Sequence, residues 1–417
     1  MTPHFASCKQ PCSITYVVLV VLTAACGGPD ASTAATTIRD SSGVVIVEHD
    51  LKLRNTACSI DAAPRVSIGV EEGEEPYMLA RLGGAIRLSD GRIVLANRRT
   101  HEIRYFDSTG KWIRSSGRRG QGPGEFSDPF YIQPLRGDTI YVGDFRPFQY
   151  LVFDEKGDWV RSVKPDPMEL NSPRSMNILA DGRLFNGREN AFSKLPNFVP
   201  RTMVMELYDA SGKLTDTVAA LENGRYGRLD DDPQSMYTFP IFESFAQARS
   251  RGDRIVLGHA SKPELRVQRT DAGLALDRII RWDVGSRSIT DADIEAYKAA
   301  QVAQNANLSA EVKPRLLDPL ISKDRPVADS FPAFGMLMLA SDDAIWIREF
   351  PRPTDTTAHH WIGFERDGSF RCRLDTPRFR EYLDWGRDYL LVADPDTATD
   401  VERVRLFPLK GPSASPR

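Results

Sequence analysis

Apolar and polar residues alternate in short runs along most of this chain, and the runs recur at a regular spacing. The repetition is clearest between residues 84–117, GAIRLSDGRIVLANRRTHEIRYFDSTGKWIRSSG, and residues 130–163, FYIQPLRGDTIYVGDFRPFQYLVFDEKGDWVRSV. Each block reads as an apolar strand, an Asp/Gly turn, a second strand, a polar loop, a third strand ending in Phe-Asp and, past a turn closed by Gly, a fourth strand. Four short antiparallel strands in a unit of roughly 40–50 residues make one blade of a propeller.

The turn and the second strand return along the whole chain. They occur as Asp90-Gly91 before residues 92–98, Gly137-Asp138 before 139–145, Asp181-Gly182 before 183–189, Gly252-Asp253 before 254–260, Asp342-Asp343 before 344–350 and Gly386-Arg387-Asp388 before 389–395. Asp and Gly suit these positions because tight hairpins need a positive φ, which Gly adopts freely and Asp tolerates. The recurrences predict an all-β, six-bladed β-propeller with four-stranded antiparallel blades. Third-strand turns repeat at Phe106-Asp107, Phe153-Asp154, Tyr208-Asp209, Asp271 and Phe364-Glu365, each closed by a glycine. The sixth unit ends with a third strand over 401–408, so an N-terminal strand is predicted to complete the ring, either residues 65–70 or residues 44–49. Closure of that kind removes an open sheet edge.

Residues 290–323 break the alternation. Thr290 as a cap, Asp293 at the third position and Ile294, Tyr297, Lys298 and Gln301 at helical spacing predict a helical insertion between blades four and five. It should cover one mouth or one rim of the propeller. A longer segment, 222–242, precedes blade four, and an insertion around 190–201 interrupts blade three.

The first residues read as an address. Residues 14–25, ITYVVLVVLTAA, are an apolar run of 12, shorter than the ~20 residues of a membrane-spanning helix and suited to a signal-peptide core. The run ends in Leu22-Thr23-Ala24-Ala25-Cys26-Gly27, which resembles the bacterial lipobox, with Leu22 one place further from the cysteine than that pattern prefers. The resemblance implies cleavage before Cys26 and lipidation of its thiol; an ordinary secretory signal and an uncleaved anchor are the alternatives. The predicted organisation is a signal peptide over 1–25, a lipidated flexible tether over 26–42, the propeller over 43–411 and a disordered tail over 412–417. The membrane, reached through the lipid, is then the first partner, and the location is the bacterial cell envelope, on the outer membrane or facing the periplasm.

The stretch Gly117-Arg118-Arg119-Gly120-Gln121-Gly122-Pro123-Gly124-Glu125-Phe126, followed by Pro129, residues 140–144 and residues 151–157, resembles one complete NHL repeat. Residues 92–110 resemble the second half of another. The loop 122–126 is also similar to one that recurs in bacterial six-bladed propeller lipoproteins. The resemblance implies the propeller fold; NHL-like propellers include RNA binders, protein-binding modules and a peptide-amidating lyase, so the fold does not select a function.

Composition narrows the field. Lys and Arg number 54 against 57 Asp and Glu, so there is no basic field of the kind that draws a protein onto nucleic acid. Arg98-Arg99, Arg118-Arg119 and Arg146 form a local basic set, but export argues against RNA. His-Glu-x-x-His, Gly-x-Ser-x-Gly and Cys-x-x-Cys are all absent. The expectation is therefore an envelope-tethered, non-enzymatic scaffold for a protein, peptide or carbohydrate ligand, with Arg98, Asp144, Arg146, Tyr237 and Phe239 as candidate binding residues. The rival is a hydrolase or lyase with a divalent cation in the central channel, held by Asn97, Asp144 and Asn186 near the ends of second strands; no other cofactor is predicted. Cys58 and Cys372 are the thiols of the folded part, and an oxidising envelope permits them to pair.

Overall fold

The computed structural model describes residues 35–411 apart from 147, 168–172, 174, 190–197, 231–234, 396–398 and 400. The signal segment, Cys26, most of the blade-three insertion and the tail 412–417 lie outside the described residues. Each predicted second strand is present: Ile93–Asn97, Ile140–Phe145, Leu184–Glu189, Arg254–His259, Ile345–Arg348 and Tyr389–Ala393. Each belongs to a separate sheet and pairs antiparallel with its neighbours in the blade, so the chain is a six-bladed β-propeller. Blade one runs Leu82–Arg87, Ile93–Asn97, Glu102–Phe106 and Trp112–Ser116, paired in that order.

Local chemistry explains the turns. In the third-strand turn of blade one, Asp107 accepts hydrogen bonds from the backbone N–H of Thr109 (2.9 Å) and of Lys111 (3.0 Å), and Gly110 takes a φ of 87°. Asp154 and Asp209 repeat this arrangement, which is why an acid leads and a glycine closes each copy. The glycine-rich loop 117–126 is an inter-blade connector. Glu125 accepts from Gly122 N–H at 2.9 Å, and fully buried Phe126 packs with Ile86, Val94 and Tyr105 of blade one and Ile140, Leu151 and Phe153 of blade two. A Cβ on Gly117 would lie 2.5 Å from the Phe126 ring, so that position admits only glycine.

Ring closure uses both N-terminal candidates, in different places. Val66–Ile68 pairs antiparallel with Val404–Lys410 and completes blade six, while Ser59–Ile60 pairs further along the same strand. Val44–His49 instead pairs in parallel with Ala275–Trp282, the outer strand of blade four. Between them Ala57 bridges Arg373 on the outer strand of blade five, and a disulfide joins Cys58 to Cys372 with a Cα–Cα distance of 5.7 Å. The N-terminal segment is thus a strap that covers the outer edges of three successive blades, edges that would otherwise offer unpaired N–H and C=O groups.

One expectation needs correction. The flexible tether was expected to reach residue 42, yet Thr36–Ser41 is a strand paired with Val44–His49. The turn between them has positive φ at both Ser42 (56°) and Gly43 (85°), with Asp40 accepting from Gly43 N–H at 3.1 Å, the geometry that hairpins favour. Its polar residues concealed the strand because an outermost strand has no buried face to mark. In blade three the first strand is short: ahead of Leu184–Glu189, Val199–Tyr208 and Leu214–Tyr226 it is marked by antiparallel bridges at Ser175 and Ile178. Backbone bonds still join it to the second strand, between Ser175 and Gly187 (3.3 and 2.7 Å) and from Phe185 N–H to Asn177 O (2.9 Å), and side chains tie it to the neighbouring blades. Gln133 of blade two donates to Ile178 O (2.9 Å), and Asn177 accepts from Ser250 N–H of blade four (2.8 Å).

The insertion begins with helix α1, Asp291–Gln304, entered through the predicted capping box of Thr290 and Asp293. Ile289, Ile294 and Tyr297 pack on Ile241, Phe242, Phe331 and Phe350, so the helix sits on the rim between blades four and five. No helix among the described residues is long and apolar enough to cross a membrane.

Candidate functional site

First strands line the axis of a propeller, and the turns that follow them ring one mouth of its channel. Here that mouth is a cavity of about 590 Å³ bordered by Ser89, Asp138, Ala180, Asp253, Asp343 and Asp388, one from each blade. Most of its charges are satisfied. Arg87 pairs with Asp388 (3.3 Å), Arg366 with Asp253 (2.7 Å) and Arg254 with Asp343 (3.5 Å). Asp384 anchors three lining residues: fully enclosed, it accepts from Arg87 N–H (2.9 Å), the Tyr389 hydroxyl (2.7 Å) and Arg251 Nη1 (2.7 Å), and also from Trp385 N–H (2.9 Å). Arg251 starts in blade four, donates to Leu339 O in blade five at 3.2 Å and ends on Asp384 in blade six. Burial opposes its charge, but Asp384, together with Tyr389 and Asp343, outweighs burial and raises its pKa.

The opposite mouth differs. Between blades three and four lies a cavity of about 400 Å³, lined by Ser175, Glu189, Arg201, Met203, Asn223, Tyr226, Phe239, Phe245, Gln247 and Arg249. Its aromatic wall is ordered by its own contacts. Phe239 meets Phe245 edge-on with centroids 4.9 Å apart, Tyr226 lies 4.8 Å from Phe239, and Tyr237 stacks on Tyr226 at 5.2 Å. Arg325 of the insertion donates to Phe239 O at 2.7 Å and to the Tyr297 hydroxyl at 3.0 Å, which fixes the aromatic loop to the helical rim. Glu189 is committed to Arg201 and to Asn223, and Asn223 also accepts from Ala246 N–H at 3.0 Å.

The residues singled out from the sequence fall into three groups. Tyr237 and Phe239 belong to the aromatic assembly of the second cavity, Phe239 lining it directly. Arg98 and Asp144 tie blade one and the connector to blade two: Arg98 forks onto Asp128 at 2.7 and 2.6 Å, and buried Asp144 accepts from Ser127 N–H at 3.0 Å and from Asp128 N–H. Arg146 is exposed, its guanidinium 5.5 Å from the Phe145 ring. The trio considered for a cation is occupied within the protein. Asn97, with its amide turned to donate to Ala80 O at 2.7 Å, accepts from Thr100 and Arg104 at 3.1 Å, and Asn186 accepts from the Tyr150 hydroxyl at 2.7 Å. Among the described residues no group of three or more His, Cys, Asp or Glu is arranged to hold a metal ion.

Gln247, Arg249, Arg251 and Asp384 were missed. A signal existed: the first strand of blade four, Ala246–Arg251, reads AQARSR, placing long polar side chains at alternate positions on a strand that lines the axis. The partners on other blades carry no such signal.

The solved structures this chain resembles are similar at low identity. A Bacteroides fragilis protein inferred to be exported is 10% identical, with 88% of this chain and 100% of that one covered and a TM-score of 0.49. A DUF4221 family member from Bacteroides vulgatus is 12% identical over 86% and 100%, with a TM-score of 0.46. Virginiamycin B lyase from Staphylococcus aureus is 10% identical over 87% and 97%, with a TM-score of 0.34. No curated protein matches the chain. Residues 79–161, which span blades one and two, match a family model, DUF5128, described as a 6-bladed beta-propeller.

Proposed function

We propose that this chain is an exported, lipid-anchored β-propeller of the bacterial cell envelope that binds a ligand or a segment of a partner protein without transforming it. The observation that carries the binding reading is the contrast between the two mouths of the channel. One is knitted together by ion pairs reaching across blades, whereas the other opens on an aromatic, partly polar cavity of about 400 Å³, a size and lining typical of small-ligand sites. Anchoring rests on the apolar run 14–25 and Cys26; several acyl chains, at ~0.8 kcal/mol per buried CH₂, make attachment durable where one chain does not. A lipid on Cys26 would tether the propeller to the membrane.

Two measurements test the reading. Mass spectrometry of the mature N-terminus should find an acylated Cys26, and Cys26→Ala should move the protein from the membrane to the soluble fraction. A thermal-shift screen of the purified full chain against peptides, sugars and organic acids should yield stabilising ligands whose effect is lost in Phe239→Ala. A stoichiometric divalent metal at the axis, or turnover of a bound compound, would replace this reading with the hydrolase or lyase alternative.

A further inference from the structure

Resting on that binding reading, we infer that the cavity between blades three and four recognises a monocarboxylate carrying a flat ring, with Arg249 holding the carboxylate. Arg249 lies on the first strand of blade four, two residues from Arg251 and on the same face, so both point toward the axis. Tyr131 of blade two lies close enough to both guanidinium groups to feel their charge. Groups from blades two and four can approach one another in this way only at the channel.

The two arginines are treated differently. Arg251 has Asp384; Arg249 forms no ion pair with any described residue, and its Nη1 donates at 2.8 Å to the carbonyl of its own neighbour Ala248. Burial depresses its pKa, with Tyr131 acting weakly the other way. It remains a cation, because even a depressed guanidinium holds its proton at neutral pH. Arg249 and Gln247, one strand repeat apart, both line the cavity, and the Gln247 side chain has no hydrogen-bond partner among the described residues. A planar guanidinium fork beside a free amide matches a carboxylate.

The walls supply the rest of the selectivity. Glu189 already places one negative charge in the lining, neutralised by Arg201, so the single charge of a carboxylate is balanced by Arg249 whereas a phosphate dianion is not. Tyr226, Phe239 and Phe245 offer ring faces and edges to the body of the ligand.

The test compares 4-fluorophenylacetate with its neutral amide, 4-fluorophenylacetamide, by ¹⁹F NMR titration of the full chain in detergent, against a micelle blank. The acid should bind about tenfold more tightly than the amide, and Arg249→Gln should bring the two affinities together, while Arg269→Gln, an exposed arginine remote from the cavity, keeps the preference. Should Arg249→Gln fail to fold, Gln247→Leu is expected to weaken the acid severalfold. Equal affinity of acid and amide, or a preference that survives Arg249→Gln, overturns the carboxylate inference but leaves ligand binding at this cavity intact. Absence of binding by both probes overturns the inference, and the binding reading itself then falls only if the wider ligand screen is also empty.

Discussion

Arg104 offers the sharpest test of how the strap is joined to the first blade. Its side chain is fully buried. The guanidinium donates to Glu102 (2.8 Å), to the carbonyls of Glu75 (2.9 Å), Pro76 (2.8 Å) and Met78 (3.0 Å), to Thr100 (3.3 Å), and to the Glu75 carboxylate. One side chain therefore holds the 3₁₀ turn Glu75–Tyr77 against blade one. Arg104→Met preserves much of the apolar volume but leaves three carbonyls and Glu102, only 15% exposed, without their donor. Each such group costs about 1–3 kcal/mol when it stays dry. Glu75, 60% exposed, turns to water at little cost, and some solvent follows it, so the net loss should be ~3–5 kcal/mol, the range for breaking a buried ion pair. With an unfolding entropy of ~2.1 cal/mol/K per residue, a propeller of this size loses roughly 1.3 °C per kcal/mol, which gives a fall of ~5 °C in calorimetry. Hydrogen exchange should quicken first at residues 76–80, and Arg104→Lys, with fewer donors, should fall between. A variant Arg104→Met melting within about 1 °C of the parent would refute the assignment of this residue as the clasp.

Other consequences follow from single residues. The adjacent histidines should titrate on opposite sides of the ordinary value: burial, helped by Arg348 and Arg378, pushes His359 down to about 4, while for His360 burial is overcome by the hydrogen bonds its ring donates to Asp375 and Asp355, which raise it. Between pH 6.5 and about 4 the unfolded chain binds a proton at His359 that the folded chain refuses, so this site lowers stability as pH falls through that window; His360 does the reverse, stabilising below 6.5 and losing the effect as pH rises through its folded pKa. Imidazole NMR showing both rings titrating together would contradict this. Ile68→Ala, at a fully buried position of the closing strand, should cost about 2–4 kcal/mol in urea unfolding, whereas Ile38→Ala on the exposed edge strand should stay within ~0.5 kcal/mol; equal effects would mean that 66–68 does not close the ring. Reduction of the Cys58–Cys372 bridge, which spans 314 residues, should lower stability by up to ~5 kcal/mol on a chain-entropy basis, and identical unfolding curves with and without reductant would argue against the bridge in the mature protein.

Much of the fold was legible because it is written locally. Second strands follow Asp or Gly turns wherever they occur, and the cap at Thr290 announces its helix through two residues three apart. The position of the N-terminal strands was less legible for a physical reason. VVIVEH has an apolar face that suits the outer edge of any blade, and what assigns it to blade four is long-range: His49 stacks on Phe364 at 5.2 Å and meets Gly368 O at 2.8 Å, both in blade five. The first strand of blade three is hard to read because it is short: its backbone pairs with Phe185 and Gly187 of the second strand, and its ties to blades two and four, from Gln133 to Ile178 O and from Ser250 N–H to the Asn177 side chain, leave no periodic trace. The candidate site fails to show in sequence for a similar reason. Asn97, Asp144 and Asn186 share a place in the repeat and drew attention by that regularity, yet in each blade the position serves a local bond. The residues at the axis break the repeat, as AQARSR does in blade four, and come from segments more than a hundred residues apart.

That break in regularity bears on where binding takes place. A cation drawn even partly out of water is costly, and a chain under selection for stability alone would pair it or replace it with an apolar side chain; Arg249 is half-buried. This chain does pair Arg251 with Asp384 and Arg254 with Asp343 within the same channel, so a carboxylate partner is structurally attainable there. Arg249 is left without one at the mouth where the blade-three hairpin is lengthened, where residues 237–245 bring in aromatic rings, and where the insertion fastens them through Arg325. Elaboration of loops and an unbalanced charge at one place on an otherwise repetitive scaffold are better accounted for by a ligand than by folding. The ligand would then supply in the bound state the negative charge that the fold supplies elsewhere from its own side chains.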